Sequence, residues 1–170
     1  HAFINKAIDN GAKAFLINED VQMIEGYTFI KVKDIKESMA KIASNFYNNP
    51  SKNLEVIGVT GTNGKTSITT FLSQILNIDH RCGLIGTIKI YDGNCEIVSQ
   101  NTTPESLDLQ KALYNMLKNK CEYCSMEVSS HSLALNRIDG IDIQIGIFNN
   151  LTEDHLDFHK DLNEYRNVKE

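Results

Sequence analysis

The sequence predicts an α/β protein with a mostly parallel sheet flanked by helices, and three observations carry that expectation. Short apolar runs rich in β-branched residues alternate along the chain with stretches whose apolar residues recur every three or four positions. A glycine-rich segment, "GVTGTNGKTSITTF" at residues 58–71, joins one such run to one such stretch. Apolar residues make up 41% and charged residues 23% of the chain, the balance of a globular protein with a core to bury.

The elements follow in order. Residues 2–10, "AFINKAIDN", read as a helix ending at Gly11, and "AKAFLIN" as a short strand. A second strand, "YTFIKV", precedes "DIKESMAKIASNFYNN", where Asp34 caps a helix with Ile35, Met39, Ile42, Ala43 and Phe46 on one face. Residues 1–49 form a β/α unit too small to stand alone, and Pro50 and Ser51 mark a linker to the main unit, residues 50–170. There "LEVIG" is a buried strand, and "TSITTFLSQIL" sets Ile68, Phe71, Leu72, Ile75 and Leu76 along one helix face. "RCGLIGTIKI" and "CEIVSQ" read as strands around a "DGN" turn. Thr103-Pro104 opens the helix "ESLDLQKALYNMLKN"; the strands "YCSMEV" and "IDIQIGIF" and a helix from about Leu162 complete the pattern. Alternating strand and helix is the mark of a parallel sheet covered on its faces.

Composition excludes some classes of function. The net charge of −5 argues against a large basic surface for nucleic acid. No apolar run reaches the ~18 residues of a membrane span and no signal peptide is visible, so a cytoplasmic protein is expected. The chain starts at His1 without an initiator Met and stops at "NVKE", which reads as a piece of a longer protein. Of four cysteines, Cys121 and Cys124 form a CxxC, but in a strand-like context without a second ligand pair, so buried structural thiols are expected.

The glycine-rich segment carries the most specific chemistry. A strand, a flexible loop and a helix start present backbone N–H groups and a positive dipole end to an anion. Gly61 and Gly64 allow close backbone approach, Lys65 faces β- and γ-phosphates, and the Thr66 hydroxyl is placed to ligate Mg²⁺. The phosphate-loop pattern asks for a glycine where Val59 stands, and Gly58 is one residue early. Glu127 ends an apolar strand, the end at which open α/β sheets hold ligands, and a carboxylate there suits Mg²⁺; a salt-bridged strand end is the plainer alternative. "NNLTEDHLDFH" gathers Asp154, His155, Asp157 and His159, with His155 the candidate metal contact, although a helix cap explains Thr152 and Asp154. Thr102 and Thr103 precede a helix and suit either an anion or a cap. Ser129, Ser130 and His131 lack a nucleophile elbow and read as ligand hydrogen-bonders.

"GTNGKT", "NTTPES", "MEVSSHSLALNR", "NLTEDHLDFH" and "YRNVK", in this order and spacing, resemble the Mur ligases of peptidoglycan synthesis, and among them the branch that makes UDP-N-acetylmuramoyl-tripeptide. The resemblance implies an incomplete central ATP-binding domain, preceded by the end of a UDP-binding domain over residues 1–49. It implies an ATP-dependent amide-bond ligase that joins a diamino acid, meso-diaminopimelate or L-lysine, to UDP-MurNAc-L-Ala-D-Glu through an acyl phosphate. ATP phosphates would lie on Gly61, Thr62, Asn63, Gly64, Lys65, Thr66 and Ser67. Thr66 and Glu127 would hold one Mg²⁺ and His155 a second; Asn101, Thr102, Thr103, Ser129 and Arg137 would touch the UDP-sugar peptide. Lys169 falls where the family carries a carbamylated lysine, whose acquired negative charge reaches Mg²⁺.

Two positions depart from the family. Leu135 replaces a glutamine and Asn149 a threonine, neither of them a phosphate or metal contact. The family's C-terminal domain, which binds the incoming amino acid, is not in these 170 residues, so little or no turnover of its own is expected; a monomer is expected as well. Rival readings are a related ligase of the cyanophycin or folylpolyglutamate synthetase kind, and a nucleotide-binding module without catalysis.

Overall fold

A computed structural model describes residues 3–152 and 160–169. The chain opens with α1 (Ile4–Asp9), β1 (Ala14–Ile17), β2 (Thr28–Lys31) and α2 (Ile35–Phe46), with β1 and β2 paired in parallel. Asp34 caps α2 as its sequence context predicts, its carboxylate accepting from Lys36 N–H at 2.7 Å and Glu37 N–H at 3.0 Å. The buried face is shifted from the expected one and shares Ala43 with it. Met39, Ile42 and Phe46 are exposed, whereas Ala40, Ala43 and Ser44 turn inward, because the surface that α2 meets is the later helix of the main sheet.

Pro50 and Ser51 do not form an exposed linker. They start a 3-10 turn, Pro50–Asn53, and both are buried; the Ser51 hydroxyl accepts from Asp142 N–H at 3.0 Å and its carbonyl from the Gln144 side chain. The junction between the two units is therefore packed.

The main sheet comprises β3 (Glu55–Thr60), β4 (Cys82–Ile85), β5 (Lys89–Tyr91), β6 (Glu96–Val98), β7 (Tyr123–Glu127) and β8 (Ile145–Phe148), in the order β6-β5-β4-β7-β3-β8. β4, β7, β3 and β8 run parallel; β5 pairs antiparallel with β4, and β6 antiparallel with β5. The segment "RCGLIGTIKI", expected as one strand, is two, because the chain reverses after Gly86 and Gly86 N–H bonds the Lys89 carbonyl at 3.1 Å. The predicted turn at Asp92 is present, with the Asp92 carboxylate accepting from Asn94 and Cys95 N–H and Gly93 at φ +91°.

Alternation along the strands separates two helix layers. α4 (Ser106–Lys118) sets Leu109, Leu113 and Met116, all 0% exposed, against Val56, Ile85, Cys124 and Met126. Each such side chain contributes about 1.5–3 kcal/mol by leaving water. α3 (Lys65–Leu76) covers the other face through Thr69 and Ser73. Of its apolar stripe, Ile68, Leu72 and Leu76 are half-buried while Phe71 and Ile75 are exposed. Small hydroxyl side chains let α3 lie close to the sheet, and Asn77 ties its end to Cys82 through both backbone groups. α5 (Ser130–Ala134) and α6 (Leu162–Lys169) pack together beyond the strand ends.

Cys82, Cys121 and Cys124 are buried and Cys95 is exposed, all four as free thiols. Burial pushes the Cys82 thiol up to about 11 and raises Cys121 and, more strongly, Cys124. Among the described residues no group of His, Cys, Asp and Glu is arranged to hold a metal by itself. No helix of the described residues is long and apolar enough to cross a membrane.

Candidate active site

The loop from Gly61 to Gly64 lies at the carboxyl end of β3, a strand flanked on both sides by parallel neighbours, and leads straight into α3. Gly61 has φ +141° and Gly64, the N-cap, φ +83°, conformations that side chains resist. Space excludes them too: a Cβ at Gly64 would come within 2.8 Å of Asn149 Nδ2, and one at Gly61 within 3.1 Å of the Asn150 backbone. The Lys65 amine folds back over the loop, donating to the carbonyls of Gly61 and Thr62 at 2.8 Å each.

Glu127 is the last residue of β7 and 1% exposed, yet its carboxylate is fully engaged. Oε2 accepts from the Thr66 hydroxyl at 3.0 Å and the Thr87 hydroxyl at 3.2 Å, and Oε1 from Thr87 N–H at 2.8 Å. The pairing of Thr66 with Glu127, expected from a helix start and a strand end 61 residues apart, is thus a direct contact. Among the described residues the partners of the Glu127 carboxylate are two hydroxyls and a backbone amide, where a salt-bridged strand end was the plainer alternative.

These groups fit Mg²⁺ by their chemistry. Mg²⁺ takes hard oxygen donors and is held by one or two protein groups with phosphate and water supplying the rest. A hydroxyl and a carboxylate oxygen 3.0 Å apart, beside a helix start, offer such a pair. His155, with Asp154, Asp157 and His159, lies outside the described residues.

Thr103 is buried, its hydroxyl donating to the Glu127 carbonyl at 2.8 Å and accepting from Ser129 N–H at 3.1 Å. It is a strut between the strand end and the loop before α4. Arg137 braces the same loop, donating to the Thr103 carbonyl at 3.1 Å and pairing with Glu105 at 2.6 Å. Ser129 caps α5 by accepting from Ser132 N–H at 3.1 Å. Thr102 bonds the Thr87 hydroxyl at 3.0 Å, and Asn101 is exposed at the rim. Thr102, Thr103, Ser129 and Arg137 therefore cluster around the β7 end that carries Glu127, with Asn101 exposed beside Thr102 in the chain.

Lys169 reaches the loop from α6: its amine donates to the Gly61 carbonyl at 2.7 Å and sits 4.4 Å over the Tyr165 ring. The Tyr165 hydroxyl lies 3.2 Å from the Thr62 hydroxyl, which also contacts both backbone groups of Thr152. A hollow of about 360 Å³ alongside, lined by Gly58, Val128, Leu133, Ile143, Phe148 and Lys169 among others, is mostly apolar and unsuited to phosphate.

Thr87 was missed by sequence reasoning. Its signal was the glycine before it: a Cβ at Gly86 would meet Glu127 Oε1 at 2.5 Å, so the chain there is built to approach a buried carboxylate.

Comparison with known proteins agrees with this geometry. The Mur ligase middle domain matches residues 59–170. The UDP-N-acetylmuramoyl-L-alanyl-D-glutamate–2,6-diaminopimelate ligase of Clostridioides difficile (strain 630) is 64% identical over 171 residues, covering 100% of this chain and 35% of that protein. The same-named ligase of Alkaliphilus metalliredigens (strain QYMF) is 48% identical over 170 residues, covering 99% of this chain and 34% of that protein. A solved structure of a UDP-N-acetylmuramoyl-L-alanyl-D-glutamate–2,6-diaminopimelate ligase superposes with a TM-score of 0.83 at 30% identity, over 99% of this chain and 34% of that one. The MurF ligase of Thermotoga maritima, at 20% identity and a TM-score of 0.65 over 99% of this chain and 36% of that one, shares the fold. The chain spans about a third of the length of the curated relatives it matches. With the glycine loop, the threonine–carboxylate pair and the sheet order all in place, and the middle-domain match over most of its length, the chain belongs to the Mur ligase family.

Proposed function

We propose that this sequence is the nucleotide-binding part of an ATP-dependent ligase that adds a diamino acid to UDP-MurNAc-L-Ala-D-Glu in the cytoplasm. The observation that carries the reading is the Thr66 hydroxyl 3.0 Å from the Glu127 carboxylate at the mouth of a glycine loop that carries Lys65. Residues 50–170 form the start of the ATP-binding domain, and residues 1–49 the end of the uridine-nucleotide domain. The names of the similar ligases support 2,6-diaminopimelate as the diamino acid.

In this reading the N–H groups at the start of α3 bind phosphate oxygens, and Lys65 turns from the loop carbonyls to the β- and γ-phosphates. Thr66 and Glu127 hold Mg²⁺, which would neutralise phosphate charge during transfer to the substrate carboxylate. Thr87 fixes the Glu127 carboxylate in place. Asn101, Thr102, Ser129 and Arg137 line the approach of the UDP-sugar peptide, with Thr103 stiffening that rim. His155 would hold a second Mg²⁺, and Lys169, as a carbamate, would offer a negative charge to the metal.

Isothermal titration of the chain with ATP, with and without Mg²⁺, tests the reading. Mg²⁺-dependent binding is expected, weakened at least about tenfold in Lys65→Ala by loss of a charge-assisted contact; absence of binding by the unaltered chain would overturn it. Direct binding of UDP-MurNAc-L-Ala-D-Glu but not of folate, measured in the same way, separates it from a folylpolyglutamate synthetase. Because the chain spans 35% of its relative, little or no ligase turnover is expected from these residues alone, and tripeptide formation by them would contradict that.

A further inference from the structure

We infer that Asn150 is a positioning residue for triphosphate binding, holding the glycine loop in its binding shape through both polarities of one amide side chain. Its Oδ1 accepts from Thr62 N–H at 3.1 Å and Asn63 N–H at 2.9 Å, while its Nδ2 donates to the Asn63 carbonyl at 3.1 Å. The Asn150 backbone adds a fourth contact, its carbonyl accepting from Thr62 N–H at 3.0 Å. Only an amide side chain offers an acceptor and donors together at this length; Asp lacks the donor, and Gln is one methylene longer. The neighbouring Asn149 contributes from one side only, its Nδ2 donating to the Asn63 carbonyl at 2.8 Å.

Two consequences follow for the nucleotide reading on which this inference rests. A loop held at Thr62 and Asn63 is ordered before ligand arrives, so binding loses less conformational freedom. The same bonds occupy the N–H groups of Thr62 and Asn63, so the donors offered to phosphate are those of the first turn of α3, beginning at Lys65. Asn150 acts through the loop and does not touch the reacting atoms.

The test compares Asn150→Ala and Asn150→Asp with the unaltered chain, and uses Leu113→Ala, in the core beneath α4, as a control. Binding of Mg²⁺-ATP and of Mg²⁺ with inorganic tripolyphosphate is measured by titration, and stability by urea unfolding. Both Asn150 variants are expected to bind each probe at least about tenfold more weakly, with a smaller loss of stability than Leu113→Ala, whose affinity stays within about twofold. A purely structural role would instead make affinity track stability across the three variants, which would overturn the inference. If Asn150→Ala does not fold, the nearly isosteric Asn150→Asp decides: affinity within twofold of the unaltered chain refutes the positioning role. An unaltered chain that binds neither probe refutes the nucleotide reading itself, and this inference with it.

Discussion

The two ends of the same polypeptide use apolar residues in opposite ways. In the main unit Val56, Val59, Ile85 and Met126 of the sheet and Leu113 of α4 are 0% exposed, and the buried layer extends to a carboxylate, Glu127, at 1%. In the first unit Phe3, Met23, Ile42 and Phe46 are 75%, 64%, 49% and 74% exposed, around a sheet of two strands. Both regions have well-formed helices with legible apolar spacing. Spacing creates a face, but a face becomes a core only where another layer lies across it.

That contrast can be broken or sharpened by substitution. Leu113→Ala, in the layer between α4 and the sheet, is expected to lower unfolding stability by about 2–5 kcal/mol in urea, since Leu113 is fully buried in the core and its truncation leaves a cavity there. A loss below about 1 kcal/mol would mean that α4 is less firmly seated than its burial implies. Asp34→Ala removes the two-bond cap of α2 and is expected to cost about 1 kcal/mol, read by the same unfolding series.

The thiols give a pH test of the main sheet. Burial raises the Cys82 thiol from 9.0 to about 11, so between these values the folded chain keeps a proton that the unfolded chain has released. Stability due to Cys82 is therefore intact below about pH 9 and falls as pH rises towards 11, with Cys82→Ala flattening the slope. A thiol reagent at neutral pH is expected to label Cys95 quickly and Cys82, Cys121 and Cys124 only after unfolding. The smallest effect belongs to the first unit: Phe46→Ala, at a 74% exposed position, should change stability by less than about 0.5 kcal/mol. A larger loss would show that its exposed stripe is covered in solution.

The glycine loop and the Glu127 strand end were legible because each is a local signature, set by backbone freedom at Gly61 and Gly64 and by position on a strand. Thr87 and Asn150 were not. Both act on residues far away in sequence, Thr87 on Glu127 40 residues later and Asn150 on Thr62 88 residues earlier; Gly86 before Thr87 is the one local sign, and its meaning depends on the distant carboxylate. The split of "RCGLIGTIKI" was missed for the same reason: its β propensity is continuous, and the reversal after Gly86 places Thr87 at the buried carboxylate. On α2 and α3 the apolar stripes were read correctly as patterns, but of the α2 stripe only Ala43 is fully buried, and the tertiary partners selected Ala40, Ser44, Thr69 and Ser73 outside the stripes.

The amino-acid order alone determined the alternation of strand and helix, the phosphate-type loop before α3 and the placement of a carboxylate at a parallel strand's end, because these depend on propensity, glycine and spacing within a few residues. Only the tertiary structure decided which faces are buried, that the Pro50 junction is packed, and that Asn150 and Thr87 close around the loop and the carboxylate. Those outcomes depend on which distant layers come into contact, and hydrogen bonds across tens of residues leave no periodic trace in the chain.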